Sequence, residues 1–175
     1  MEKRMLVVYY SWSNGNTEKV AEQLAETCGA DIERIETVEP YPEDYNETVE
    51  QGQREVNEGF EPQIETLGNE LASYDVIAVG TPTWWYTMAP AVKTFLSEND
   101  FHGKKIVAFQ TNGGWPGSVI EDTEEACEGA EFGPSFEIQF DSNGGDVQKT
   151  PQREVDTWVE SVRAYANSRQ TFSVA

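Results

Sequence analysis

Cationic residues are scarce in this chain of 175 residues: 12 Lys and Arg stand against 32 Asp and Glu, a net charge of −20 at pH 7. Such a surface repels nucleic acid and anionic membrane and steers towards a basic protein partner. An acidic surface kept for solubility or salt tolerance gives the same count. Histidine occurs once, as His102 in an expected turn, and cysteine twice, as Cys28 and Cys127. The cysteines form no CxxC or metal-spaced pattern and read as reduced, buried thiols. With no spaced His or Cys beside the many carboxylates, no metal site is expected. No apolar run reaches membrane-spanning length, and the N-terminus lacks a signal peptide's apolar core, so the expected location is the cytoplasm. Two phosphate signatures are also missing. The lack of GxxxxGK[ST] argues against an NTP–magnesium loop, and the lack of GxGxxG against a dinucleotide-type fingerprint.

What is present is alternation. The length fits one domain, and no linker composition divides residues 1–175. An apolar run over Lys3–Tyr10 predicts a buried strand. A helix from Thr17 follows, with Val20, Ala21, Leu24, Ala25 and Cys28 on one face and Gly29 at its end. Asp31–Val38 reads as a more exposed edge strand. The acidic stretch 40–73 is the least clear; Tyr45, Val49 and Val56 suggest a helix over Asn46–Asn57, with a short helical piece over Gly68–Ser73. Strands are expected at Tyr74–Gly80, Lys104–Gln110 and Ser135–Phe140. Between and after them come helices from Pro90, around Val119–Cys127 and from Pro151. The β-α alternation implies a five-stranded parallel sheet covered by helices on both faces. In such sheets ligands sit beyond the strand C-termini, where the winding reverses.

Three polar or aromatic loops follow strands and so should meet at that edge. After Tyr10, Ser11, Trp12, Ser13, Asn14, Gly15, Asn16 and Thr17 crowd hydroxyls, amides and a glycine against a helix N-terminus. That combination suits a phosphate, though well-capped β-α turns favour the same residues. Lys19 is expected to be the only nearby cation, and a helical wheel turns it away from the loop. After Gly80, Thr81-Pro82-Thr83-Trp84-Trp85-Tyr86 places three aromatics in a loop. They either stack on a flat ligand or fold back into the core. Thr111, Asn112, Gly113 and Gly114, in a loop that runs on to Gly117, offer backbone N–H groups with little side-chain bulk.

A phosphate at one end and a flat ring at the other describe a mononucleotide. On Tyr10–Thr17, Gly80–Trp85 and Thr111–Gly114 the chain resembles the flavodoxin family over nearly its whole length. The resemblance implies a flavodoxin-like three-layer α/β/α sandwich with strand order 2-1-3-4-5, and FMN as cofactor. It implies that Ser11, Trp12, Ser13, Asn14, Gly15, Asn16 and Thr17 surround the phosphate. Thr81, Pro82, Thr83, Trp84, Trp85 and Tyr86 would flank the isoalloxazine ring, and Thr111, Asn112, Gly113 and Gly114 its far edge. The acidic field would lower the flavin potential. Unlike many flavodoxins, Trp84–Met88 contains no glycine, so a glycine-dependent peptide flip is not expected. The segment 133–145 does not match the insertion of long-chain members.

The implied function is a low-potential electron carrier, a monomer exchanging electrons with a basic reductase-type donor and basic acceptors. The alternative is an FMN-dependent NAD(P)H:quinone or flavin oxidoreductase of the same fold. No basic cluster is visible to receive a 2′-phosphate. A phosphoacceptor receiver domain needs acidic residues where this chain has Ser11-Trp12 and Gly80-Thr81.

Overall fold

The computed structural model describes residues 4–12, 15–142 and 145–168. The central strands are β1 (Met5–Tyr9), β3 (Val76–Trp84) and β5 (Lys105–Asn112), with β2 (Asp31–Arg34) at one edge. The other edge is a strand in two pieces, β6 (Glu131–Phe132) and β7 (Phe136–Gln139), both parallel to β5. Between them lies Gly133-Pro134-Ser135; proline has no N–H to continue the ladder. The pairing path β2-β1-β3-β5-β6 is the expected 2-1-3-4-5 winding. Seven strands replace five because the last one is interrupted and because β3 turns back into a short antiparallel strand, β4 (Thr87–Met88).

The helices are α1 (Asn16–Cys28), α2 (Tyr45–Glu58), α3 (Pro90–Ser97), α4 (Val119–Glu125) and α5 (Gln152–Asn167). The piece expected over 68–73 is a single 3-10 turn at Leu71–Ser73. Helix α4 stops before Ala126 and Cys127, which the apolar spacing had placed on it. Successive strand residues bury opposite faces. Val7, Ala78, Val107 and Phe109 pack against α1 and α5 through Leu24, Trp158 and Val159. Leu6, Val8, Ile77 and Ile106 pack on the other side against Val92 and Phe95 of α3 and Val119 of α4. Each Val, Leu, Ile or Phe among them contributes roughly 1.5–3 kcal/mol by leaving water. Fully buried Lys105 has a structural role as well. Its Nζ donates to the Tyr165 carbonyl at 2.9 Å and the Ser168 carbonyl at 2.8 Å, placing a cation at the C-terminus of α5.

Candidate functional site at the strand C-termini

The parallel register sets the β1, β3 and β5 C-termini side by side, with Tyr9 opposite Gly80 and Gly80 opposite Phe109. Helix α1 begins behind Gly15, whose φ of 73° is left-handed and favours glycine, and which has no side chain to cap the helix itself. Its first-turn residues Asn16 and Thr17 line a cavity of about 300 Å³. The Thr17 and Thr111 hydroxyls lie 2.7 Å apart, joining the first and third loops. Asn16 Nδ2 donates to the Gly145 carbonyl at 3.0 Å. Among the described residues, Asn16 Oδ1 is buried without a hydrogen-bond partner, an acceptor suited to a hydroxyl donor. Ser11 is buried behind the loop, and its Oγ accepts the Glu18 N–H at 3.3 Å. Ser13 and Asn14 lie outside the described residues.

One expectation about this loop is corrected. Lys19 is exposed, as the helical wheel indicated, but it is not the cation nearest the loop. Arg34, the last residue of β2, pairs in register with Tyr9 and donates from Nη2 to the Ser11 carbonyl at 2.7 Å. Its Nη1 lies 2.5 Å from Glu18 Oε2. Strand pairing brings together residues that sequence distance separates.

The second loop is a tight hairpin. Strand β3 runs through Trp84, and the turn residues Trp85 and Tyr86 have φ of 49° and 69°. Two positive values at the centre of a two-residue connection match the hairpin turn that usually takes Asn-Gly. Trp84 folds inward, edge-on to Tyr10, Trp12 and Tyr41 at centroid distances of 5.8, 6.1 and 5.1 Å. Burial lifts the Tyr10 and Tyr41 phenols well above their ordinary pKa, and Glu55 raises Tyr41 further by accepting its hydroxyl. The aromatic wall therefore stays uncharged. The Trp85 indole donates to the Val49 carbonyl at 3.0 Å. Tyr86 is 61% exposed and does not line the cavity. Thr81 is buried; its hydroxyl donates to the Pro82 carbonyl and accepts the Ala89 N–H. Pro82 and Thr83 do line the cavity, with Trp84 and Trp85.

The third loop supplies Thr111, Asn112 and Gly113 to the lining, while Gly114 is exposed outside it. Asn112 Oδ1 accepts the Gly114 N–H at 2.8 Å. Beneath the loop, buried Gln110 accepts from the Thr83 hydroxyl and donates to the Pro116 carbonyl at 3.0 Å, so one amide joins the second and third loops.

Three walls were not anticipated. Tyr45, Thr48, Val49 and Gly52 of α2 close one side, with Trp12 stacked on Tyr45 at 5.5 Å and 26°. A Cβ at Gly52 would come within 3.1 Å of the Trp84 ring. Phe140, Asp141, Ser142 and Gly145 close another, held by Asp141, which accepts the Gly145 and Val147 N–H groups. Trp115 also lines the cavity; it lay within the expected loop but was not singled out. His102, at the opposite sheet edge, is exposed and pairs with Asp100.

A doubly wound parallel sheet, with a helix N-terminus and an aromatic wall meeting at its switch point, defines an α/β mononucleotide-binding domain. The chain belongs to the flavodoxin family: the family profile described as Flavodoxin matches residues 4–162. Flavodoxin is itself the familiar example of a ligand bound at such a switch point. The chain is similar to NAD(P)H dehydrogenase (quinone) 3 of Rhizobium meliloti, 36% identical over 120 residues, covering 63% of this chain. It spans only 53% of that relative's length. Among solved structures it resembles a flavoprotein in complex with FMN from Lactobacillus acidophilus, with TM-score 0.67, 22% identity and coverage of 89% and 98% of the two chains. It also resembles a Bacteroides uniformis protein assigned as a flavoprotein, with TM-score 0.75, 22% identity and coverage of 91% and 99%. At these identities the structural likeness concerns the fold.

Proposed function

We propose that the chain binds FMN at the strand C-termini and serves as an electron carrier. The observation that carries this reading is the single cavity joining the first turn of α1, at Asn16 and Thr17, to the Trp84–Trp85 wall. Asn16 and Thr17, with Ser11, Ser13, Asn14 and Gly15, hold the phosphate through neutral donors and the helix dipole. The unpartnered Asn16 Oδ1 accepts from a ribityl hydroxyl. Trp84, Trp85, Pro82 and Thr83 would flank the flat ring, next to buried Thr81, while Tyr86 completes the turn that presents Trp84 and Trp85. Thr111, Asn112 and Gly113 would meet its far edge, with Gly114 beside them outside the cavity. Bound there, FMN supplies the redox chemistry; the residues orient it, exclude water and leave its negative charge largely uncompensated.

The net charge of −20 supports docking to basic partners, a reductase-type donor and electron acceptors, rather than to nucleic acid or membrane. Among the described residues no helix is long and apolar enough to cross a membrane. A cytoplasmic monomer fits this reading. The second reading, an FMN-dependent NAD(P)H:quinone oxidoreductase, is favoured by the likeness to the Rhizobium dehydrogenase. Anaerobic mixing of the FMN-loaded protein with NADPH alone separates the two. A carrier keeps its oxidised flavin band for minutes; rapid bleaching overturns the carrier reading in favour of the enzyme.

A further inference from the structure

We infer that Arg34 is a positioning residue that makes the first loop selective for a phosphorylated flavin, by neutralising Glu18 and fixing the Ser11 carbonyl. The inference rests on the proposed FMN site and concerns its phosphate end.

Glu18 is the third residue of α1, in the turn whose first two residues, Asn16 and Thr17, line the cavity. A carboxylate there stabilises the free helix through the dipole. It also competes with any second anion at the same N-terminus, and like charges disfavour one another. The chain has an answer built from β2. The Arg34 guanidinium lies 2.5 Å from Glu18 Oε2 and, on its other nitrogen, 2.7 Å from the Ser11 carbonyl. The Tyr9 hydroxyl donates to the same Glu18 oxygen at 3.1 Å. Ser11 is tied a second time, because its Oγ accepts the Glu18 N–H at 3.3 Å. One planar fork therefore bridges the strand-end carbonyl and the helix carboxylate, a geometry that an ammonium group does not reproduce. With the carbonyl held by Arg34, its dipole is directed to a cation. Arg34 is 41% exposed at its side chain and also lies 3.9 Å from Glu36, so part of its charge is shared and screened.

The test compares dissociation constants for FMN and riboflavin by flavin fluorescence quenching, at low and high salt, on the full chain. The wild type is expected to prefer FMN. Arg34→Met is expected to weaken FMN roughly tenfold, as for one charge acting through partly screened surroundings, and riboflavin less than twofold. The FMN loss shrinks in high salt. Glu18→Gln placed on Arg34→Met restores most of the preference, because the carboxylate that Arg34 offsets is gone. Arg34→Lys keeps the charge and loses the fork, and gives a smaller loss. Equal weakening of both flavins by Arg34→Met, or of neither, overturns the inference. If that variant does not fold, an unchanged FMN-to-riboflavin ratio in Arg34→Lys overturns it. A wild type that binds both flavins equally refutes instead the placement of the phosphate at α1.

Discussion

The hydroxyls of Thr17 and Thr111 meet at 2.7 Å in the buried seam between the first turn of α1 and the end of β5. Two loops whose paired residues stand 94 positions apart are thereby held at one spacing. Thr17→Val keeps the shape and removes one hydroxyl, leaving Thr111 without this partner. The expected loss of stability is about 1–2 kcal/mol, read as a lower urea midpoint of the apo protein. FMN should weaken more than riboflavin, since Thr17 lies at the phosphate end. Thr17→Ser should recover both properties in large part.

The hairpin between β3 and β4 carries two bulky residues, Trp85 and Tyr86, in a left-handed backbone. Such a conformation costs on the order of 1 kcal/mol or more per residue. Tyr86 is largely exposed, so little burial offsets it. Tyr86→Gly should therefore stabilise the apo protein by about 1 kcal/mol, raising its thermal midpoint by roughly 3 °C. A lowered midpoint would show that the exposed phenol contributes more than the strain costs.

That turn is clamped from the other side. The Tyr86 carbonyl accepts the Ser118 N–H at 2.8 Å, with Gly117 at φ 58° pressed against it. A Cβ on Gly117 would overlap the Tyr86 carbonyl. Gly117→Ala should cost about 1–3 kcal/mol and weaken flavin binding, because the second and third loops lose their spacing. Chemical denaturation and a flavin titration on the same variant check both effects.

Alkaline pH should destabilise the protein through acids that folding buries in whole, as Cys127, or in part, as Cys28 and Tyr165. Burial pushes the Cys127 thiol up from 9.0 to about 12, and Cys28 from 9.0 to about 11. Tyr165 rises from 10.0 to about 12, again chiefly by burial. In each case the unfolded chain loses its proton first and binds fewer protons than the folded one. Stability is thus fully present below about pH 9, and falls as pH rises to about 12. Cys127→Ala should flatten the first part of that decline when urea midpoints are plotted against pH.

How far the sequence disclosed this site depends on which element carries each wall. The three loops were legible because each follows an apolar strand directly, and parallel pairing must bring strand ends together. Helix α2 was only half legible. Its buried positions are Thr48, Gly52 and Glu55, so its inner face is small and polar and leaves little apolar periodicity. Glu55 is accommodated there by the Tyr41 hydroxyl and Gln51. Arg34 looked like an exposed edge-strand residue, and only its register with Tyr9 places it under Ser11. Asp141 and Gly145 were not foreseen at the site, since nothing local shows that Asn16 of α1 reaches the Gly145 carbonyl. The broken edge strand could have been suspected from Pro134 alone.

The central claim is that the cavity between α1 and the Trp84–Trp85 wall takes FMN. Titrating the apo protein into FMN, while following the flavin fluorescence, tests it most directly. Saturable one-to-one binding with strong quenching is expected, and loss of much of that quenching in Trp84→Leu. Flavin emission that stays at its free-solution level throughout the titration would contradict it.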